Sequence, residues 1–237
     1  VSQDFITAGN VTVGADAEIT LSGSGDFVNL GNLVLDYQQT QSGSVATVAE
    51  TVWKVNGSLT QNGNAFQVGT QLKEIRLIGN TILSGSGTSN ELSALVTDSD
   101  KDGSHSLQFS SADGTQTSFT IVDYAGDSVV GNSYTGETTI DAGVTVTLAT
   151  DSGFGSTSKL TAEGDVVLLD TVDQIVKGLA GSGTIELLGT SSLTLNQNGS
   201  AAIDNILSGN GTFNVNLGGA TGELSFTNTA AAPFLGT

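Results

Sequence analysis

The segment from Val144 to Leu187 reads VTVTLATDSGFGSTSKLTAEGDVVLLDTVDQIVKGLAGSGTIEL and contains three short apolar runs. The runs are centred on Val146, Val167 and Glu186, so they recur after 21 and then 19 residues. Gly, Asn or Asp residues bound each run, which is typical of β-strands. A period near 20 residues indicates a solenoid coil, because a sandwich or barrel spaces its strands by about 8–12 residues without a longer repeat.

Similar runs occur along most of the chain, whereas stretches with helical periodicity are nearly absent. Further runs lie at Val11–Val13, Ile19–Leu21, Leu33–Leu35, Leu193–Leu195, Phe213–Leu217 and Leu224–Phe226. Paired glycines occur as SGSG at 22–25 and 84–87, AGSG at 180–183 and SGNG at 208–211. Such glycines let the backbone adopt positive φ at a corner. We therefore predict an all-β parallel β-helix over residues 1–237, of about ten to eleven coils.

Residues 98–128 depart from this period of about 20 residues. They contain an acidic loop, the run SLQF, an Asp113-Gly114 turn and the run TSFTIV. Asp-Gly between alternating apolar runs is a strong hairpin signal. We predict a loop and β-hairpin that protrude from the β-helix.

The composition excludes several classes of partner. The chain has 237 residues, with 6 Lys and Arg against 24 Asp and Glu, a formal net charge of −18. It therefore offers no cationic surface for nucleic acid or anionic membrane. No apolar run reaches the length of a membrane helix, so we expect no membrane insertion of this segment. The 37% of hydrophobic residues are enough for a core and argue against disorder.

The repeat region resembles a known family. Residues 134–160 read YTGETTIDAGVTVTLATDSGFGSTSKL, and GLAGSGTIEL follows at 178–187. This text is similar to the passenger-associated repeat of bacterial autotransporters. Its characteristic residues correspond to Tyr134, Thr135, Gly136, Thr139, Ile140, Gly143, Leu148, Gly155, Leu160, Leu179, Gly181 and Gly183.

The resemblance implies a right-handed parallel β-helix that is secreted through an outer-membrane barrel and folds at the cell surface. Many such passengers are adhesins. The sequence has neither the barrel nor a signal peptide, so we expect it to be part of a longer passenger. Zero cysteines agree with this expectation, because a chain that crosses the membrane unfolded benefits from having no disulfide loops.

Nucleophilic catalysis is not expected from this sequence. A Ser-His-Asp triad would have to use His105, which is the one histidine, and a cysteine nucleophile is absent. Some autotransporters are serine proteases with a GDSG-type motif. Asp151-Ser152-Gly153 lacks its leading Gly, and Gly126-Asp127-Ser128 lacks its trailing one. We therefore predict no enzymatic activity.

Polysaccharide cleavage is the enzymatic alternative, because parallel β-helices host lyases and glycosidases. Hydrolysis requires two carboxylates at about 5–10 Å, and stacked coils can provide them. Asp141 and Asp165 are one candidate pair. Acidic residues at solvated corners are the simpler interpretation.

A calcium loop is the most specific chemical motif. Asp98, Asp100 and Asp102 occupy positions one, three and five, and Gly103 occupies position six. Position twelve of an EF-hand would be Phe109, so a complete EF-hand is excluded. Asp113, Asp123 or Asp127 are the candidates that could close the site. A solvated acidic turn is the alternative.

Aromatic residues offer a further candidate surface. Trp53, Tyr37 and Tyr124 are expected in the core. We expect Phe109 and Phe119 to project with the hairpin and to present apolar surface.

Taken together, these features favour a surface-exposed adhesin. We expect its polar face to bind like molecules on neighbouring cells, in aggregation or biofilm formation, or a host glycan or matrix protein. Multivalency along the rod would supply avidity. A polysaccharide-active enzyme and a passive stalk are the alternatives.

Overall fold

The computed structural model describes strands up to residue 85 and then residues 86–88, 90–92, 95–98, 103–123, 131–155, 159–218 and 222–227. Side chains are described from Ile75 onward. Throughout these residues the secondary structure is β-strand and turn, with no helix. The described part accordingly contains no helix with the length and apolarity needed to cross a membrane.

The strands are short and closely spaced. In the first half they are β1 Phe5–Thr7, β2 Val11–Val13, β3 Glu18–Leu21, β4 Phe27–Asn29, β5 Leu33–Asp36, β6 Ser44–Thr47, β7 Thr51–Asn62, β8 Gln67–Val68, β9 Leu72–Gly85, β10 Asn90–Leu92, β11 Leu95–Asp98, β12 Leu107–Ser111 and β13 Thr117–Ile121. In the second half they are β14 Thr138–Ile140, β15 Val144–Leu148, β16 Leu160–Ala162, β17 Asp165–Leu168, β18 Asp173–Val176, β19 Leu179–Ala180, β20 Thr184–Leu187, β21 Ser192–Asn198, β22 Ala201–Ile203, β23 Ile206–Gly209, β24 Thr212–Gly218 and β25 Leu224–Phe226.

Stacked parallel sheets form the walls of the molecule. The first sheet follows the path β1-β4-β7-β9-β12-β14-β16-β19, the second runs β8-β10-β13-β15-β17-β20-β23, and the third is β18-β21-β24. Every pair among the described strands is parallel. The chain is thus an all-β solenoid, which confirms the predicted fold class. The hand of the coil stays a prediction.

The spacing of the coils varies along the chain. Val146 pairs with Val166, and Val166 pairs with Ile185, so this region repeats after 20 and 19 residues. Upstream, Phe109 pairs with Ile140, 31 residues away. The first sheet stacks eight strands from successive coils, and its upstream coils contain longer connections than the regular ones. The expected total of ten to eleven coils stays a prediction.

The predicted hairpin is wrong. Its two runs form β12 and β13, but β12 pairs with β9 and β14 in the first sheet. β13 pairs with β10 and β15 in the second sheet. The Asp113-Gly114 turn is a corner between two walls of the same coil. Asp113 accepts hydrogen bonds from the Thr115 N–H and hydroxyl, and these bonds fix the corner.

The core is a stack of inward-facing apolar ladders. Buried and half-buried residues alternate in β13 and β15, as a sheet with one dry face requires. Phe109 and Phe119 are both 0% exposed, and their rings meet edge to face with centroids 5.3 Å apart. The expectation that this pair projects outward is therefore wrong. Trp53 lies on β7, and Tyr37 and Tyr124 lie outside the described residues.

Glycines at the corners serve two purposes. Gly181 has φ +100°, which confirms the expected positive φ at an AGSG corner. Gly183 is required for close approach: a Cβ there would lie 1.8 Å from the Gly164 carbonyl oxygen of the preceding coil. The paired glycines thus permit both the turn and the tight stacking of successive coils.

Buried amide side chains bridge coils where the sheet ladders are interrupted. The Asn132 side-chain oxygen accepts from the Val96 N–H at 2.7 Å, and its amide donates to the Gly153 carbonyl at 2.6 Å. One coil further, the Gln174 side-chain oxygen accepts from the Phe154 N–H at 2.9 Å. These bonds satisfy backbone groups that would otherwise be buried without partners.

Candidate functional site

A small uncharged surface lies on the outer side of the second sheet. It consists of Ser118 and Thr120 on β13 and Thr145 and Thr147 on β15, which we call the hydroxyl patch. The register places Ser118 beside Thr145 and Thr120 beside Thr147. Strand geometry spaces these side chains by about 4.8 Å between strands and about 7 Å along each strand. The four hydroxyls therefore form a flat grid.

Most hydroxyls of the patch are available for an external partner. Ser118 donates to the Thr88 carbonyl at 2.8 Å. Thr120, Thr145 and Thr147 have no side-chain hydrogen bond to any residue that the structure describes. The sequence analysis did not single out these residues. The alternation of Thr with Val in VTVTL was the signal that could have identified them.

Acidic side chains, in contrast, are largely used to hold successive coils together. Asp170 accepts from the Thr190 N–H at 2.7 Å and from its hydroxyl at 2.9 Å, across 20 residues. Glu163 accepts from the Ser182 hydroxyl at 2.9 Å, across 19 residues. Similar inter-coil bonds join Glu137 to Thr161, Asp98 to Thr135, Asp204 to Thr227 and Asp173 to Ser192. These carboxylates have a structural role.

Hydrogen bonds lower the pKa of three acidic side chains. The Thr161 hydroxyl lowers the pKa of Glu137, and Lys159, with its Nζ 3.3 Å from Oε1, adds to the effect. The N–H and hydroxyl of Thr190 lower the pKa of Asp170. Bonds from Thr115 likewise lower the pKa of Asp113. In each case the coil favours the charged carboxylate.

The structure also contains an open concavity of about 460 Å³. It lies where the chain leaves β13 and β15, and its lining includes Asp123, Thr150, Asp151, Ser152 and Thr171. The Thr150 hydroxyl donates to Asp123 Oδ1, and the Asp173 N–H donates to Asp151 Oδ1. One oxygen of each carboxylate is thereby committed to the fold. The Oδ2 atom of each carboxylate has no hydrogen-bond partner among the described residues.

Two residues of this concavity have unusual backbone conformations. Ser152 has φ +53° and Thr171 has φ +73°. Such angles are costly for residues with a Cβ, and a β-branched residue such as Thr adopts them rarely. Strained residues concentrate at functional sites.

The structure does not assemble the catalytic triad considered from sequence. Ser152 lies in the concavity, whereas His105 precedes β12 on the first sheet. His105 Nε2 is buried and has no hydrogen-bond partner among the described residues. Asp151 Oδ1 accepts a backbone N–H, as described above. The Gly126-Asp127-Ser128 match lies outside the described residues.

The carboxylates considered for polysaccharide cleavage are bonded within the coil. Both oxygens of Asp141 accept from the Gln108 amide, at 2.9 and 3.0 Å. Asp165 accepts from the Thr184 N–H at 3.0 Å. Both acids therefore hydrogen-bond to a neighbouring coil and help to hold successive coils together.

The predicted calcium loop is described only in part. Asp98 ends β11, and its Oδ2 accepts from the N–H and hydroxyl of Thr135 at 2.7 and 2.6 Å. Asp100 and Asp102 lie outside the described residues. No group of three or more His, Cys, Asp or Glu side chains in the described ranges is placed to hold a metal ion. Calcium binding by Asp98, Asp100 and Asp102 stays a prediction.

The fold and this surface define a parallel β-solenoid with an uncharged hydroxyl patch on one wall. Comparison of the chain with protein-family models, curated proteins and solved structures gives no match.

Proposed function

We propose that this chain is a segment of a secreted, surface-exposed adhesin passenger that associates through the outer faces of its solenoid. The partner is a like solenoid on a neighbouring cell, as in aggregation and biofilm formation, and the contact is made at the hydroxyl patch. The proposal assigns no enzymatic reaction to the chain. The resemblance of residues 134–187 to the passenger-associated repeat motivates the surface location.

The hydroxyl patch is the single observation that carries the proposal. Three hydroxyls in a flat grid, each without an intramolecular partner in the described part, can donate and accept across an interface. Individual neutral hydrogen bonds are weak, at about 0.5–1.5 kcal/mol. Many copies on each cell would add such contacts into avidity.

Charge limits this association at low salt. Two chains of net charge −18 repel each other, and few cationic side chains are available to compensate. Raising the ionic strength shortens the range of this repulsion but leaves uncharged hydrogen bonds largely intact. Association is therefore expected to strengthen with salt.

Display on the bacterial surface provides the functional test. We expect cells that display the wild-type chain to clump, and cells that display Thr147→Glu to clump less, because each contact then buries an unpaired charge. Thr194→Glu is the matched control. It places the same charge on a central strand of the third sheet, away from the patch, and should clump like wild type.

Two other results would contradict the proposal. If displaying cells do not clump, and the purified chain binds an array of glycans and matrix proteins instead, the partner is a host ligand. If the cells neither clump nor bind the array, the segment is a passive stalk.

A polysaccharide-active enzyme is the second candidate, because Asp123 and Asp151 line one concavity and each has an oxygen without a partner in the described part. Hydrolysis requires such a pair of carboxylates. A polysaccharide panel assayed for new reducing ends or unsaturated products tests this candidate. Activity that disappears in Asp151→Asn would support it, and the absence of product would eliminate it.

A further inference from the structure

The outer face of the third sheet carries a regular array of uncharged side chains. Ile175 on β18 lies beside Thr194 on β21, which lies beside Asn214 on β24. Two residues further along the strands, Asn196 lies beside Asn216. Burial alternates along β18 and β21, so this set of positions points to solvent while the alternate set fills the core. We call these five residues the amide face.

The amide face is electrically neutral, in contrast to the chain as a whole. The strands β21 and β24 contain no Asp, Glu, Lys or Arg. On β18, Asp173 precedes Ile175, and Lys177 directly follows the strand, so the two charges beside the face have opposite signs. The chain carries a net charge of −18 and repels polyanions at long range. A neutral partner is therefore the electrostatic complement of this face.

The asparagine side chains retain capacity for further hydrogen bonds. Asn216 Nδ2 donates to Asn196 Oδ1 at 3.3 Å, and Asn214 Nδ2 donates to the Thr194 hydroxyl at 3.4 Å. Both distances exceed the usual range of about 2.7–3.2 Å. Each carboxamide has two N–H donors and an acceptor oxygen, more than these contacts use. An amide donor beside an amide acceptor matches two neighbouring hydroxyls of a sugar ring, one of which accepts while the other donates.

An apolar side chain completes the face. Ile175 is 55% exposed, the largest exposed fraction among the large hydrophobic residues that the structure describes. The C–H side of a pyranose ring is apolar and can cover Ile175 while the ring hydroxyls reach Thr194 and the amides. Removing this apolar area from water favours binding.

The spacing of the coils indicates which shape of glycan fits. Adjacent strands are about 4.8 Å apart, close to the length of one sugar unit in an extended β-1,4-linked chain. We propose that the amide face binds a neutral, extended polysaccharide of β-1,4-linked pyranoses that crosses β18, β21 and β24 with one sugar unit on each strand. A curved α-linked chain loses this correspondence. The site is separate from the hydroxyl patch and goes beyond the proposed function.

Two oligosaccharides of glucose test the proposal, because they share one composition and differ in linkage. Cellohexaose is β-1,4-linked and extended, whereas maltohexaose is α-1,4-linked and curved. Calorimetric titration of the purified chain should detect binding of cellohexaose and at least about tenfold weaker binding of maltohexaose. Cellotriose should bind more tightly than cellobiose, because its third unit reaches the third strand.

A pair of double variants locates the site. Asn196→Ala with Asn216→Ala removes two solvent-facing amides and should weaken cellohexaose binding at least about tenfold. Circular dichroism checks that this variant is folded. Thr145→Ala with Thr147→Ala is the matched control, since it removes two side chains of the hydroxyl patch and should bind cellohexaose like the wild type.

Three results would overturn the proposal. They are no binding of either hexasaccharide at millimolar concentration, equal affinity for both, and unchanged cellohexaose binding by the folded asparagine variant. None of these measurements depends on the clumping of cells. A failure of glycan binding is therefore distinct from a failure of self-association through the hydroxyl patch.

Discussion

Two adjacent regions of the solenoid share one strand pattern but differ in burial. They are the interior coil, which contains β20–β22, and the last described coil, which contains β23–β25 and which we call the terminal coil. Ile185 in the interior coil is 0% exposed, and Leu207, its partner in the terminal coil, is only partly buried. Ile203 is 0% exposed, whereas its partner Phe226 is 54% exposed. A similar side chain is thus buried in one coil and partly or largely exposed in the next.

The difference shows that each coil depends on its neighbours for its core. A single coil cannot bury its own apolar face, and stability accumulates through nearest-neighbour contacts. The interior coils are also joined by bonds from acidic side chains to the next coil, as between Asp170 and Thr190.

The largest expected effect is a loss of core packing in the interior. Ile185→Ala removes a fully buried side chain and should lower the free energy of unfolding by about 3 kcal/mol. Leu207→Ala, one coil further along the same ladder, should lower it by about 1 kcal/mol, because its side chain is only partly buried. Guanidinium chloride unfolding measures both. Equal losses would contradict the dependence of burial on neighbouring coils.

A smaller effect is expected when a buried amide is removed. Gln174→Ala leaves the Phe154 N–H without its 2.9 Å acceptor inside the core and should cost about 2 kcal/mol. Asn216→Ala removes an exposed amide of the terminal coil and should change stability by less than about 0.5 kcal/mol. The same unfolding assay compares them. A Gln174→Ala variant as stable as Asn216→Ala would show that the inter-coil amide bond is dispensable.

The smallest expected effect is a loss of folding stability at acidic pH. The pKa of Glu137 is lowered from its ordinary value of 4.5, chiefly by the Thr161 hydroxyl. The stability from this bond is therefore fully present above pH 4.5 and declines as the pH falls through the lowered pKa. Because the Glu137 side chain is 40% exposed, the contribution should be below about 1 kcal/mol.

Unfolding measured between neutral and acidic pH isolates this contribution. Thr161→Val removes the donor and should flatten the acid-dependent part of the profile, and Glu137→Gln should flatten it in the same way. A profile unchanged in both variants would show that the bond between Glu137 and Thr161 does not connect stability to pH.

The sequence allowed the solenoid to be predicted where its coils are regular. Val146, Val166 and Ile185 repeat at nearly constant spacing, so periodicity alone aligned them, and the glycines near residue 182 identified a corner. The interpretation of residues 107–121 failed because Asp-Gly between two apolar runs is compatible with a hairpin and with a solenoid corner. Only the non-local pairing of Phe109 with Ile140 distinguishes the two.

The candidate surface was harder to predict than the fold. The sequence predicts a polar outer face, but which hydroxyls lack intramolecular partners depends on contacts between coils, such as the bond from Ser118 to Thr88. The contacts of the acidic residues could not be predicted for the same reason. Asp141 is occupied by Gln108 from the preceding coil, and no local motif indicates that contact.

The central claim is that the solenoid associates with its own kind through uncharged faces against electrostatic repulsion. The most direct test is sedimentation of the purified chain from about 0.01 M to about 1 M NaCl. We predict that the average mass rises with salt and that adding Thr147→Glu to the same chain suppresses the rise. A chain that stays monomeric at high protein concentration at every salt would contradict the claim.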